Sequence, residues 1–276
     1  MKTILVPTED HDSMAAVLEA TRLLARALDA YIEGFAVRAS LGADVTVEPL
    51  SGVAISASLH EDPPRQAQAL FESFMQAHGV PRACGEPARY SYAWPHVEPA
   101  DDMALGNRGR AFDLIALGRP GPAPQNPRMA PLEAALFDAG KLVLIAPASA
   151  PTTLGRNVLV SWNGSLEQAR TNAFALPLLR LAEQITVLTV EGGTTPGPSG
   201  ADAALHLLRN GVKARALTVK PQGQSTGEVI LEHVRSLGCD LLVKGAYTQS
   251  RFRQMIFGSA TRYILDNATI PVLMAH

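Results

Sequence analysis

The chain has 276 residues, a length typical of two domains or one large one. Hydrophobic residues make up 47% and charged residues 18%, which excludes a disordered chain and predicts a globular protein. The 24 Lys and Arg residues are balanced by 26 Asp and Glu residues, so we expect no basic surface for nucleic acid or an anionic membrane.

Strands and helices alternate from the start of the chain. Residues 3–8 form an apolar run rich in β-branched side chains, which predicts a buried strand. A helix is predicted over residues 14–28, where apolar positions recur at helical spacing, and a second strand over residues 31–37. Two nearly continuous apolar strands joined by a helix are typical of a parallel sheet with both faces covered.

The same order of elements begins again at residue 156. A strand is predicted there, then a helix through Ala182, a strand at residues 185–190, and three further elements at 201–210, 212–219 and 227–237. The fourth and fifth strands of the two halves also match: residues 112–118 with 239–245, and 142–147 with 271–276. A tandem duplication of one five-stranded α/β unit explains this agreement.

Two domains are therefore predicted, at residues 1–149 and 155–276, with the Pro-rich and Ser-rich residues 147–155 as the linker. The first half is about 27 residues longer before its fourth strand, as judged from connection lengths. Part of this surplus is expected in residues 41–64, with strand-like alternation at residues 45–47. Each half should form a parallel, doubly wound sheet.

The segment after the fourth strand of the second half has the features of an anion site. Gly245 ends the strand, Arg251 and Arg253 follow, and Gly258 and Ser259 open a helix. Glycine lets backbone amides approach a phosphate, and the first turn of a helix concentrates partial positive charge. The Ser259 hydroxyl would either donate to the anion or cap the helix.

This segment resembles the nucleotide-binding branch of the universal stress protein (UspA) superfamily. That branch has Gly-x2-Gly-x9-Gly-Ser/Thr after strand four, and Gly245, Gly258 and Ser259 match it. Thr248 stands where the middle glycine belongs, and Asn163 replaces the Asp that contacts adenine in the family. The resemblance covers nearly the whole chain, and we expect binding to be weakened at these two departures.

The resemblance implies two tandem Rossmann-like, UspA-type α/β domains and a non-enzymatic stress-response or regulatory protein. It also implies binding of ATP or AMP in the second half, with Mg²⁺ bridging the phosphates and the backbone near Val219 facing adenine. The candidate nucleotide-binding residues are Asn163, Val219, Gly245, Thr248, Arg251, Arg253, Gly258 and Ser259.

The first half keeps less of this pattern. Gly118 and Gly121 preserve the opening glycines, but Pro131 and Leu132 stand where Gly-Ser belongs. The loop between contains three prolines, which lack an N–H for a phosphate, and we expect no triphosphate here. Glu9 takes the position of the family's Asp.

Other residues receive ordinary structural interpretations. The acidic residues near His11, namely Glu9, Asp10 and Asp12, resemble a metal cluster but are interpreted as ordinary capping of a helix N-terminus, and no metal site is predicted. Trp162 is interpreted as a packed or lid residue. Cys84 and Cys239 lack metal-ligand spacing and are interpreted as inert thiols.

No apolar run reaches the ~18 residues of a membrane-spanning helix, and Glu9 and Asp10 interrupt the first one, so we expect a cytoplasmic protein without membrane contacts. Three functions stay open: nucleotide binding, a nucleotide-free protein-interaction module, and a slow ATP hydrolase. By family resemblance, residues 142–146 and 271–275 are expected at sheet edges, where the halves pair as an intramolecular pseudo-dimer or the chain forms a homodimer.

Overall fold

The computed structural model describes residues 1–37, 63–84, 89–95, 101–246 and 258–276. Within these ranges the first half contains β1 (Thr3–Thr8), α1 (Met14–Leu28), β2 (Tyr31–Ala36), α2 (Pro63–Ala77), β3 (Ser91–Ala93), α3 (Asp102–Gly109), β4 (Leu114–Gly118), α4 (Met129–Glu133) and β5 (Leu142–Ala146). A π-helical turn, Ala134–Asp138, continues α4. The strand alternation predicted at residues 45–47 lies outside the described residues.

The second half repeats this order. It contains β6 (Asn157–Ser161), α5 (Leu166–Leu179), β7 (Gln184–Val190), α6 (Gly200–Arg209), β8 (Ala214–Val219), α7 (Thr226–Ser236), β9 (Leu241–Val243), α8 (Ser259–Asn267) and β10 (Val272–Met274). The predicted α/β fold class is confirmed. Residues 147–155 between the halves hold neither helix nor strand.

The described strands form one sheet of ten in the order β3-β2-β1-β4-β5-β10-β9-β6-β7-β8. All pairs within a half are parallel, as predicted. The halves meet through β5 and β10, which run antiparallel with Leu144 opposite Leu273. The two fifth strands therefore cover each other's edges, which gives the pseudo-dimer expected from the sequence.

Two apolar cores lie on opposite faces of the sheet because successive strand residues point to opposite sides. One core takes Val6 and Val160 from the strands and is covered by α1, α2, α5 and α6. The other takes Leu5 and Leu159 and is covered by α3, α4, α7 and α8. Each core runs through both halves, so the halves share their interior.

The ends of several elements differ from the sequence prediction. Helix α5 ends at Leu179 and not at Ala182, because Leu181 and Ala182 turn back to carbonyls only three residues earlier. Strand β8 begins at Ala214, two residues later than predicted, after Gly211 with φ +77° has turned the chain out of α6. Helix α1 has the predicted bounds.

Candidate functional site

The site predicted in the second half lies where the sheet changes its direction of winding. Strands β6 and β9 are neighbours, with Val160 opposite Val243. Their connections leave toward opposite faces, because α5 covers one core and α8 the other. In open α/β sheets the crevice at such a position is where ligands bind. Asn163 follows β6 and Gly245 follows β9, so the topology brings these two predicted residues to the same edge.

Helix α8 begins as the sequence predicts. Gly258 is its N-cap residue, Ser259 is its first residue, and no described side chain caps it. The Ser259 hydroxyl therefore does not cap the helix, which was one of its two predicted roles. A Cβ added to Gly258 would meet no described atom within 4 Å, and its φ of −58° is open to any residue. Among the described residues, none therefore crowds Gly258 at the positive end of this helix.

Gly245 has a different role from the one predicted. Its amide donates to Oε1 of Gln168 at 2.6 Å. A Cβ here would lie 2.5 Å from the backbone nitrogen of Gln168, so glycine is required by the packing of β9 against α5. Gln168 is buried, and its Nε2 donates to Oδ1 of Asn172 at 2.8 Å. The Gly245 amide is therefore committed to helix α5 and not directed at a phosphate.

Lys244 is a residue that the sequence prediction missed. Its side chain is 7% exposed, and Nζ donates to the carbonyl of Gly245 at 3.0 Å. No carboxylate of the described residues pairs with it, and burial lowers the pKa of its ammonium to about 8. The backbone hydrogen bonds of the sheet continue past β9, since the amide of Lys244 donates to the carbonyl of Leu273 and the amide of Ala246 to the carbonyl of Ala275. Lys244 therefore shares the side of Leu242, which is covered by α7 and α8.

A comparison of the two halves contains the signal that would have found Lys244. The fourth strands align residue by residue, and Leu117 stands at the matching position in the first half. A charged residue in an otherwise apolar buried strand is rare unless it has a specific role. Lysine at this position places a desolvated ammonium on the side of the sheet that α8 covers. It lies at the end of β9 from which the chain continues to α8.

Asn163 and Val219 lie at the carboxyl edge of the sheet, but the described contacts tie both to the protein. Oδ1 of Asn163 accepts from the amide of Ser165 at 3.2 Å, which shapes the start of α5. The carbonyl of Val219 accepts from the amide of Glu191 at 2.9 Å. Their predicted contacts with adenine stay a prediction.

Trp162 is packed, which confirms the structural interpretation of this residue. It is 7% exposed, and its indole Nε1 donates to the carbonyl of Pro198 at 2.8 Å. The loops after β6 and β7 meet beside it, where a Cβ on Gly197 would lie 2.5 Å from the carbonyl oxygen of Gly164. Trp162 thus joins two loops at the edge of the candidate site.

Three predicted residues lie outside the described residues. Thr248, Arg251 and Arg253 belong to residues 247–257, between β9 and α8. Among the predicted set, the described part of the chain therefore places Asn163, Val219, Gly245 and the Gly258–Ser259 pair at this edge of the sheet.

The matching loop of the first half is closed on itself. The amide of Gly121 donates to the carbonyl of Pro127 at 3.2 Å, and the amide of Ala123 donates to Oδ1 of Asn126 at 3.1 Å. A Cβ on Gly118 would lie 2.5 Å from Cγ of Pro127. The amides of Gly121 and Ala123 are therefore taken by groups of the loop itself, and the expectation of no triphosphate here stays a prediction.

The acidic residues after β1 do not cap helix α1. Ser13 is the N-cap residue, without a side-chain cap, and no acidic residue lies in the first turn. Glu9 instead pairs with Arg128, which also binds Asp102 through two hydrogen bonds of 2.8 and 2.9 Å. The capping interpretation of Glu9 was therefore wrong, because a distant arginine takes the carboxylate. The described residues contain no group suited to hold a metal ion.

Residues 156–276 match the sequence profile of the Universal stress protein family. The chain therefore contains a universal stress protein domain. This confirms the resemblance seen in the sequence, and the matched residues are those that form β6 to β10 and carry the candidate site. No functionally curated protein matches the chain.

Solved structures extend the universal stress protein fold over the whole chain. A universal stress protein from Archaeoglobus fulgidus DSM 4304 has 15% sequence identity and a TM-score of 0.69, covering 99% of this chain and 95% of that chain. A functionally unknown protein from Pseudomonas aeruginosa PAO1 has 13% identity and a TM-score of 0.59, covering 100% of this chain and 92% of that chain. At these identities the likeness concerns the fold alone.

Among the described residues, no helix combines the length and apolarity that crossing a membrane requires.

Proposed function

We propose that the chain is a tandem universal stress protein with a non-enzymatic, regulatory role, and that its second half binds an adenine nucleotide. The first half is proposed to be a second, diverged copy of the same domain, since it repeats the order and pairing of the strands. The observation that carries the nucleotide proposal is the buried ammonium of Lys244, on the side of the sheet that α8 covers and at the end of β9 that leads toward α8.

The electrostatics of this position favour an anion. Taking the Lys244 ammonium out of water costs free energy that no described carboxylate offsets. The amides of the first turn of α8 add partial positive charge on the same side of the sheet. A phosphate between them would be stabilised by both, and it would restore the ordinary pKa of Lys244.

In the proposed complex the phosphates lie at Gly258 and Ser259, with Thr248, Arg251 and Arg253 from the preceding loop. Adenine lies toward Asn163 and Val219. Mg²⁺ would bridge the phosphate oxygens if ATP is the ligand. Two features of the described residues support this arrangement. No described atom lies within 4 Å of a Cβ added to Gly258, and the ammonium of Lys244 is buried.

Titration calorimetry of the full chain with AMP, and with ATP and Mg²⁺, tests the proposal. Gly258→Asp places a carboxylate in the open space, and we expect at least tenfold weaker binding because like charges repel. Gly258→Asn is the matched control, with the same size and no charge, and should retain most of the affinity. Lys244→Met should weaken binding about tenfold through the loss of a charged hydrogen bond.

A nucleotide-free interaction module is the second candidate, and the Gly245 contact favours it. The amide expected to hold a phosphate is already bonded to Gln168, and the loop of the first half is closed. If AMP and ATP do not bind at millimolar concentration, and acid extraction of the purified protein releases no nucleotide, this second function replaces the first. Phosphate release above that of Gly258→Asp would instead support slow ATP hydrolysis.

A further inference from the structure

A cavity of about 430 Å³ lies in the first half, at the carboxyl ends of β1 and β2. It opens between the end of β1, the start of α2 and the loop that precedes α4. Its volume is within the range of small-molecule pockets, roughly 300 to 1,000 Å³. One wall is apolar and consists of Ala36, Val37, Pro63, Pro64, Ala67 and Pro124.

The opposite wall carries charged side chains that are already bonded to one another. Arg128 lines the cavity and donates to Glu9 through Nε, at 3.0 Å, and through one terminal nitrogen. Both terminal nitrogens also donate to Asp102. A guanidinium has five N–H groups in a planar fork, and four are engaged in these bonds. Arg128 therefore offers almost nothing to a phosphate.

The charge around this wall is negative. Glu9 and Asp10 line the cavity, and Glu9 and Asp102 share the guanidinium of Arg128, so three carboxylates outnumber one guanidinium. Burial lowers the pKa of His11, the other ionisable residue of the lining, so its ring is neutral at pH 7. Asp10 is exposed at the mouth. An anion would be repelled here, whereas a cation would be attracted.

We infer that this cavity binds a small organic cation with an apolar body, such as an aryl-alkyl ammonium compound. The apolar body packs against the proline wall of Pro63 and Pro64, and the ammonium group lies toward Asp10 and Glu9. The inference does not depend on nucleotide binding in the second half.

Titration of the full chain with phenethylammonium chloride tests this inference. 3-Phenylpropionate is the anionic probe with a similar body, and 2-phenylethanol is the neutral one. We expect the ammonium compound to bind at millimolar concentration or below, the alcohol more weakly, and the carboxylate not at all. Binding of the carboxylate with equal or higher affinity, or no binding of the ammonium compound, would overturn the inference.

Variants locate the binding to the cavity. Asp10→Asn should weaken phenethylammonium binding about fivefold, as expected for one charge near the surface. Asp12→Asn, an exposed neighbour outside the lining, is the matched control and should change it less than twofold. Ala67→Trp should abolish binding by filling the cavity without changing any charge. Equal effects of the two Asn variants, or unchanged binding by Ala67→Trp, would overturn the inference.

The Gly258→Asp variant separates this inference from the proposed function. It should lose nucleotide binding and keep phenethylammonium binding, because α8 and the cavity belong to different halves of the sheet. Joint loss of both in a folded variant would contradict two independent sites.

Discussion

The amide nitrogen of Gly245 lies 2.6 Å from Oε1 of Gln168, and this contact joins the end of β9 to the first turn of α5. It has the length of a strong hydrogen bond and is buried. Gly245, one of the predicted phosphate ligands, is therefore part of the packing between strand and helix. At Gly258, by contrast, an added Cβ would meet no described atom within 4 Å.

The first prediction is that Gly245 and Gly258 respond differently to alanine. Gly245→Ala should lower the free energy of unfolding by about 2 kcal/mol, because its Cβ would overlap backbone atoms of Glu167 and Gln168 that cannot move aside. Gly258→Ala should cost less than about 1 kcal/mol, the loss of a favourable N-cap residue. Urea unfolding of both variants measures this. Equal losses for the two variants would contradict this prediction.

The second prediction concerns matching aspartates at the starts of the fourth strands. Asp113 accepts hydrogen bonds from the amides of Lys2, at 2.6 Å, and Thr3, at 3.1 Å. Asp240 accepts from the amides of residues 155–157 at 3.0 to 3.1 Å. Asp113→Ala and Asp240→Ala should each destabilise by about 1 kcal/mol at pH 7, since strand-start amides lose their acceptor. Asp12→Ala, at an exposed position, is the control.

The pH dependence of Asp113 gives this prediction a sign. Burial raises its pKa, but the amides of Lys2 and Thr3 outweigh burial and hold the pKa below the ordinary value of 3.8. A depressed carboxyl pKa stabilises the fold above the unfolded-state pKa, and this contribution is lost as the pH falls through the folded-state value. The difference between wild type and Asp113→Ala should therefore shrink below about pH 4. A difference that grows on acidification would contradict the assignment.

The third prediction uses the burial of Lys244. Its pKa is lowered from 10.5 to about 8, so between these values the unfolded chain binds more protons than the folded one. Stability from this group therefore rises with pH across that window. Below it both states are protonated, and the folded state carries the full cost of the buried ammonium. Lys244→Met should thus be more stable than wild type at pH 7, by up to about 3 kcal/mol.

The pH series decides the origin of this gain. The advantage of Lys244→Met over wild type should decrease between pH 8 and pH 10 in ligand-free protein, as followed by urea unfolding. Lys213→Met is the control at an exposed position. An advantage that is constant over this range would show that the gain comes from packing and not from charge.

The fourth prediction concerns the edge between the halves. In residues 155–276 expressed alone, β10 would lose its antiparallel partner β5 and expose Leu273, which is fully buried in the whole chain. An uncovered apolar edge strand recruits another chain, and an antiparallel pairing of β10 with itself is compatible with two-fold symmetry. We expect this half to form a dimer by light scattering. The full chain is the control, and a folded, monomeric half would contradict the prediction.

Much of the fold could be predicted because it follows from local pattern. The apolar run of β1 and the helical spacing of α1 gave their observed bounds, since a buried strand and an amphipathic helix each require a definite period. The element ends were less predictable. After α5 the amides of Leu181 and Ala182 donate to carbonyls three residues earlier instead of four, so the helix ends. Amino-acid composition does not predict this change of hydrogen-bond pattern.

The candidate site was less predictable because its contacts join residues that are far apart along the chain. Glu9 pairs with Arg128 across 119 positions, and Gly245 bonds to Gln168 across 77. Reasoning from neighbours in sequence assigned Glu9 to a helix terminus and Gly245 to a phosphate. Lys244 was visible in the sequence only through its mismatch with Leu117 in the other half.

The amino-acid sequence by itself determined the two repeated α/β units and the parallel direction of their strands, because periodicity and duplication are properties of the chain. The meeting of the halves at the fifth strands was expected from the family resemblance. The tertiary structure decided which groups are already satisfied. It committed the Gly245 amide to Gln168 and the Arg128 guanidinium to two carboxylates, and it placed no described atom where a Cβ of residue 258 would point. Whether a polar group can receive a ligand depends on the distant partners that folding brings to it.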